Sequence, residues 1–312
     1  MSTLTPEQNL IQEVLLENLK EQKRKRRWGI FFKLFYVLLF FITIGLLLPE
    51  EIESYNKPHT ALIDINGVIQ DDDDASADNI ATSLNAAFKN KNVKAIILRI
   101  NSPGGSPVQA AYVYDEIRRQ QKLHKDIKVY AVCTDLCASA AYYIASASDQ
   151  IYANPSSMVG SIGALLNAFG FTGSMDKLGI QRRLITAGKN KGFLDPFSPL
   201  KPEDVDDAQR MLNNVHQEFI QSVIAGRGKR LPNNPDLFTG KVWTGRDALR
   251  LGLIDGLGST GYVARDVIKQ ENIINYTIKP NYLDRLSKHI GTSIGQVINQ
   301  SLRFETPAAK LR

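Results

Sequence analysis

The chain is 312 residues long, 43% hydrophobic and 22% charged, ample material for one large domain or two small ones. Such a composition excludes wholesale disorder. The net charge of +6 does not point to nucleic acid, because part of the excess is one N-terminal cluster, KEQKRKRR at 20–27, with a better explanation.

TPEQNLIQEVLLENLK (5–20) opens with a capping box, Thr5 with Gln8, and has Pro6 at the first helical position. Leu10, Ile11, Val14, Leu15 and Leu19 line one face, which predicts a short amphipathic helix. The basic cluster then leads into WGIFFKLFYVLLFFITIGLLL (28–48), interrupted only by Lys33. A lysine there can snorkel to the headgroups, and the run is long enough to span a bilayer. A cleaved signal peptide would have a shorter apolar region and a small-residue cleavage site, which the exit LLLPEEIESYNK lacks. The expectation is an uncleaved transmembrane signal anchor at 28–48. The positive-inside rule puts residues 1–27 in the cytoplasm and everything after the span across the membrane. Residues 49–59 read as a polar linker.

From residue 60, short apolar runs alternate with helical patterns, which predicts an α/β fold. Strands are expected at 60–69, 94–100, 128–133, 150–154 and 182–188. Helices are expected at 77–90, at 106–122 with Ser106 as its cap, after Ser139, and at 201–226. In the last, Val205, Ala208, Leu212, Val215, Phe219 and Val223 form an apolar stripe that reads as core. The domain is drawn as 60–282, followed by a tail at 283–312. Asp71 to Asp74 read as a solvated loop. Cys133 and Cys137 lack metal spacing, leaving two small buried residues or, in an oxidising compartment, a disulfide.

Two stretches could carry chemistry. INSPGGSPV (100–108) ends a strand with two glycines and starts a helix, so backbone N–H groups could face an anion. It lacks the ending of a phosphate loop, and an oxyanion hole is the better functional use. TDLCASAAYYIAS (134–146) places Ser139 near a helix N-terminus, as a nucleophile or as a simple cap. A serine hydroxyl needs a base. His59, His124, His216 and His289 all fall in polar linkers or on helix surfaces. Lysine is the other candidate, and the spacing of TAGKNKGFLDPFSPL (186–200) does not choose between Lys189 and Lys191.

INSPGG, CASAAYYIAS, NPSSMVGSIG, AGKNKGFLDPF and VWTGRDALRLGLID, in that order over about 60–260, resemble the signal peptide peptidase A family of bacterial membrane serine proteases. The resemblance implies a Clp protease/crotonase-like fold of repeated ββα units and a Ser–Lys dyad. It makes Ser139 the nucleophile and Lys191, the second lysine of a G-K-x-K pattern, the base. Ser161 of GSIG would orient the lysine amine, and the N–H groups of Gly105 and Ala140 would form the oxyanion hole. Alanines at 140 and 141 replace the family's usual glycines and narrow the pocket. The resemblance also implies a homo-oligomeric ring with serine and lysine from adjacent protomers.

The reading is a membrane-anchored serine endopeptidase of the inner membrane, its catalytic domain in the periplasm, degrading cleaved signal peptides and other unfolded peptides. It needs no metal, cofactor or nucleic acid. The rivals are a crotonase-like acyl-CoA enzyme, which lacks a paired serine and lysine, and a non-catalytic membrane scaffold, in which both would be replaceable.

Overall fold

The computed structural model describes residues 6–47 and 55–278, in a chain that divides into two units, Met1–Ser54 and Tyr55–Arg312. In the first, the absence of proline after Pro6 lets one helix, α1 (Pro6–Leu47), run unbroken for 42 residues. The amphipathic segment and the apolar run are therefore one element, not two. Phe31, Phe35 and Phe41 are all well exposed along it. Among the described residues no helix is long and apolar enough to cross a membrane. The expected span at 28–48 falls on α1 as far as Leu47, and its last residues fall outside those whose side chains are described. The Thr5 cap, residues 49–54 of the linker and the tail at 283–312 also lie outside the described residues.

The second unit is built on β1 (His59–Asn66), α2 (Ala77–Lys89), β2 (Val93–Ser102), α3 (Pro107–Leu123), β3 (Lys128–Ala138) and α4 (Ala140–Ser146). There follow β4 (Gln150–Ala153), β5 (Met158–Gly160), α5 (Thr172–Lys177) and α6 (Pro202–Arg227). The chain closes with β6 (Val242–Thr244), α7 (Gly245–Arg250), β7 (Gly256–Leu257), α8 (Thr260–Tyr262) and β8 (Ile273–Asn275). The main path of the sheet runs β6-β5-β3-β2-β1-β8, and every pairing is parallel except β5 with β6.

Burial on both faces explains the near-continuous apolar strands. Ile63, Ile65, Ile96, Leu98 and Ile100 pack under α2, α3, α4 and α6, while Leu62, Ile97 and Val132 meet Val263 and Ala264 on the other side. Arg99 and Asp64, opposite each other in register, form a bidentate pair at 2.6 and 2.9 Å. Ser106 caps α3 by accepting from the Gln109 N–H. The end of α6 is fixed by the fully buried Arg227, which donates to Asp255 and to the Gly252 carbonyl.

Several expectations are corrected. Residues 182–188 form no strand: no neighbouring strand meets them, and Ile185 is 96% exposed. The stripe on α6 is core only in part, since Ala208, Phe219 and Val223 are buried whereas Val205 and Val215 are exposed. His59 is not a linker residue but a fully buried member of β1, its ring stacked on Tyr276. Its two ring nitrogens meet the Lys57 carbonyl and the Tyr276 hydroxyl.

Candidate active site

The strand leading to Ser139 is longer than its sequence predicts because it contains a bulge. On β2, Ile100 pairs with Cys133 and Ser102 with Cys137, so three residues of β3 face the single residue Asn101. Thr134 donates to the Ile100 carbonyl, and Asn101 receives the Leu136 N–H and donates to Asp135. Ser157 bonds the Cys133 and Thr134 carbonyls. Beyond the bulge β3 changes partner and pairs with β5, Ala138 opposite Gly160. Both cysteines are free thiols buried beside the bulge, and burial raises the pKa of Cys137 well above its usual value.

Ser139 follows this strand at φ 54 and ψ −125, a conformation costly for any residue but glycine. It holds because the Ser139 N–H donates to Gly160 and its carbonyl receives the Tyr143 N–H. Its side chain makes no capping bond to α4, so the simple-cap reading fails. A strained strand-to-helix turn that presents a serine hydroxyl is the geometry of a nucleophile elbow.

The glycine pair passes directly over it. A side chain on Gly104 would lie 2.7 Å from Cβ of Ser139 and 2.9 Å from the Ala138 carbonyl oxygen, so only glycine fits. Gly105 forms a single parallel bridge with Ile69, whose N–H donates to the Gly104 carbonyl and whose carbonyl receives the Ser106 N–H. In that pattern the N–H of Gly105 itself faces away from Ile69. Ala140, the first residue of α4, has no helical acceptor for its own N–H.

Gly105, Ser139, Ala140 and Ser161 line one cavity of about 750 Å³. Tyr143, Leu212, Val215 and Phe219 supply its apolar wall, with Tyr143 stacked on Phe219 at 4.9 Å. Burial raises the Tyr143 pKa, keeping the phenol neutral, and its oxygen accepts from Ser222. Ser161 also sits at positive φ (52°), its N–H donated to the Lys241 carbonyl.

Lys191 does not line this cavity. It is exposed, in turns that follow Gly188. Its neighbour Lys189 borders a separate cavity of about 660 Å³ with Arg182, Asp195 and Asp204. There the Ser198 hydroxyl, with help from Arg182, holds Asp195 below the ordinary carboxylate range. One chain therefore gathers four of the five expected residues and leaves the fifth outside.

Sequence reasoning picked out the glycine pair without the reason Gly104 is required, and it missed His216. His216, expected on a helix surface, lines the Ser139 cavity, and its Nε2 lies 3.0 Å from the Ile162 carbonyl oxygen. Its spacing from Leu212 and Phe219, four before and three after, was the available signal, since these positions share a face.

Residues 121–273 match the description of peptidase family S49. A putative protease of Methanocaldococcus jannaschii is 30% identical over 220 residues, 69% of this chain and 70% of that protein. A putative signal peptide peptidase SppA of Enterococcus faecium is 27% identical over 234 residues, 72% of this chain and 67% of that protein. A Brucella melitensis protein named Na(+)/H(+) antiporter NhaA is 47% identical over 175 residues, 56% of this chain. The chain spans only 24% of that protein, so most of its length lies outside the match.

Proposed function

The chain belongs to peptidase family S49, the signal peptide peptidase A family, and on that premise we propose that it is a serine endopeptidase acting on cleaved signal peptides and other unfolded peptides. The observation that carries the reading is the strained turn that brings Ser139 into one cavity with Gly105 and Ala140. Ser139 attacks the peptide carbonyl, and the N–H groups of Gly105 and Ala140 receive the oxyanion. A neutral lysine, Lys191, takes the serine proton and returns it to the leaving amine, and Ser161 orients that amine.

Because Lys191 stands outside the cavity of its own chain, the base comes from a neighbouring subunit. The segment 163–201 supports this. Leu165, Phe169, Leu178 and Ile185 are 83%, 74%, 73% and 96% exposed, a set of apolar side chains suited to burial against a second copy. The assembly is a homo-oligomeric ring with its active sites at subunit contacts. Within the peptidase domain at 60–282, the Clp protease/crotonase-like assignment is supported by the split pairing of β3, first with β4 and then with β5. The apolar run at 28–48, behind its basic cluster, supports a single anchor in the inner membrane with the peptidase domain in the periplasm.

The test uses the full-length protein in detergent, with a serine-reactive fluorophosphonate and an unfolded peptide. We expect labelling and turnover by the wild type, and neither from Ser139→Ala. Mixing Ser139→Ala with Lys191→Ala under subunit exchange should restore part of the turnover. Absence of recovery despite proven exchange would put the dyad within one chain, and full activity of Ser139→Ala would remove the reading altogether.

A further inference from the structure

We infer that His216 is a positioning residue of this site, holding the turn that carries Ser161 in place through the Ile162 carbonyl. The inference rests on the reading of Ser139 as the nucleophile and adds a function for a side chain from α6.

The geometry begins with the backbone after β5. Ser161 sits at φ 52, a conformation that costs a non-glycine residue roughly 1–3 kcal/mol and persists only where its surroundings enforce it. Three hydrogen bonds do so. The Ser161 N–H donates to the Lys241 carbonyl at 2.8 Å, and the Ile162 carbonyl receives the Gly240 N–H at 3.0 Å. The third comes from His216 Nε2, 3.0 Å from the same Ile162 oxygen. A carbonyl oxygen can only accept, so Nε2 carries a proton and donates it.

The first two bonds involve Gly240 and Lys241, the residues that lead into β6. His216 comes from a different element, one that also supplies the apolar wall of the cavity through Leu212, Val215 and Phe219. One and two turns beyond His216, α6 is anchored by the buried Phe219 and Val223. The imidazole thus ties the Ser161 turn to the same helix that shapes the substrate's side of the cavity. Among the described residues, the only other ionisable side chain lining that cavity is Tyr143. His216 could therefore be mistaken for the serine's base. With Nε2 donating to Ile162, Nδ1 keeps the lone pair of the ring, so the choice between base and support falls to substitution. On the inference, the ring holds the backbone from which the Ser161 hydroxyl meets the incoming lysine.

Glutamine separates the two roles, because its amide can donate to a carbonyl but cannot take a proton from serine. Full-length His216→Ala and His216→Gln are assayed beside wild type and Ser139→Ala, with kcat, KM and thermal midpoint measured for each. We expect His216→Ala to lose about 100-fold in kcat with little change in KM, the scale of a displaced catalytic group. His216→Gln should recover most of that loss, and both should stay folded. A His216→Gln as inactive as His216→Ala would make the imidazole the proton acceptor and overturn the inference. So would an undiminished kcat in His216→Ala, or a loss confined to KM. Failure of the underlying reading looks different: wild type would not be labelled at Ser139, whatever the His216 variants do.

Discussion

The body that carries Ser139 and the segment that carries Lys191 obey opposite rules. Around Ser139 the turn is held through the Ser139 N–H and carbonyl, α4 is buried along its whole length, and the bulge in β3 is held by named side chains. Between 163 and 201 the only helix of the described residues is the six-residue α5, and large apolar side chains face outward. The first region is complete by itself. The second has the composition of an interior without one, which is what a half-interface looks like in a lone subunit. On the proposed reading, catalytic power is divided between a rigid nucleophile and a base that needs company.

The largest test of this contrast is functional. Lys191→Ala should reduce peptide turnover to background, while Lys189→Ala, two residues away, should keep most of it. The reverse pattern in steady-state rates would move the base to Lys189.

Next comes a pair that exchanges stability for assembly. Ile63→Ala empties a site of zero exposure and should cost about 2–5 kcal/mol by denaturant unfolding. Ile185→Asp, at 96% exposure, should leave subunit unfolding nearly unchanged yet shift sedimentation towards smaller species and abolish turnover. If Ile185→Asp instead unfolds the subunit and leaves its size distribution alone, the segment is core and the contrast is false.

The smallest effect lies at the end of α6. Burial of Asp255 works to raise its pKa, but the Arg227 hydrogen bond and charge, the Ile151 N–H and Arg230 together leave it below the ordinary carboxylate value. A depressed folded pKa adds stability that is present above the unfolded value and lost as pH falls through the folded one. The urea midpoint of the wild type should therefore drop between about pH 5 and pH 2, and Asp255→Asn should show a shallower drop. Parallel curves would show that Asp255 carries none of the acid sensitivity.

The same division explains what the sequence reveals. Strands such as KAIILRI and helices such as the one capped by Ser106 announce themselves because period and cap are local signals satisfied within the chain. The apolar RRLITAG run carries the same signal as a strand, but no strand of the subunit pairs with it, so periodicity alone misassigns it. The bulge was invisible for another reason: Asn101, Thr134 and Ser157 stabilise it from three separate parts of the chain. Ser139, Ser161, Gly105 and Ala140 could be named through resemblance, and the structure brings them together. His216 was passed over because a polar residue on an amphipathic helix reads as solvent-facing until the cavity beneath it is known.

The conformation of Ser139 also sets activity against durability. Its positive φ is one that glycine adopts without penalty. Replacing this serine, the nucleophile of the proposed mechanism, with glycine should therefore give a protein that resists heat and denaturant slightly better than the native one, by about 1 kcal/mol. Drift towards greater robustness at this position leads directly to an inert protein, so only selection for turnover keeps a hydroxyl there.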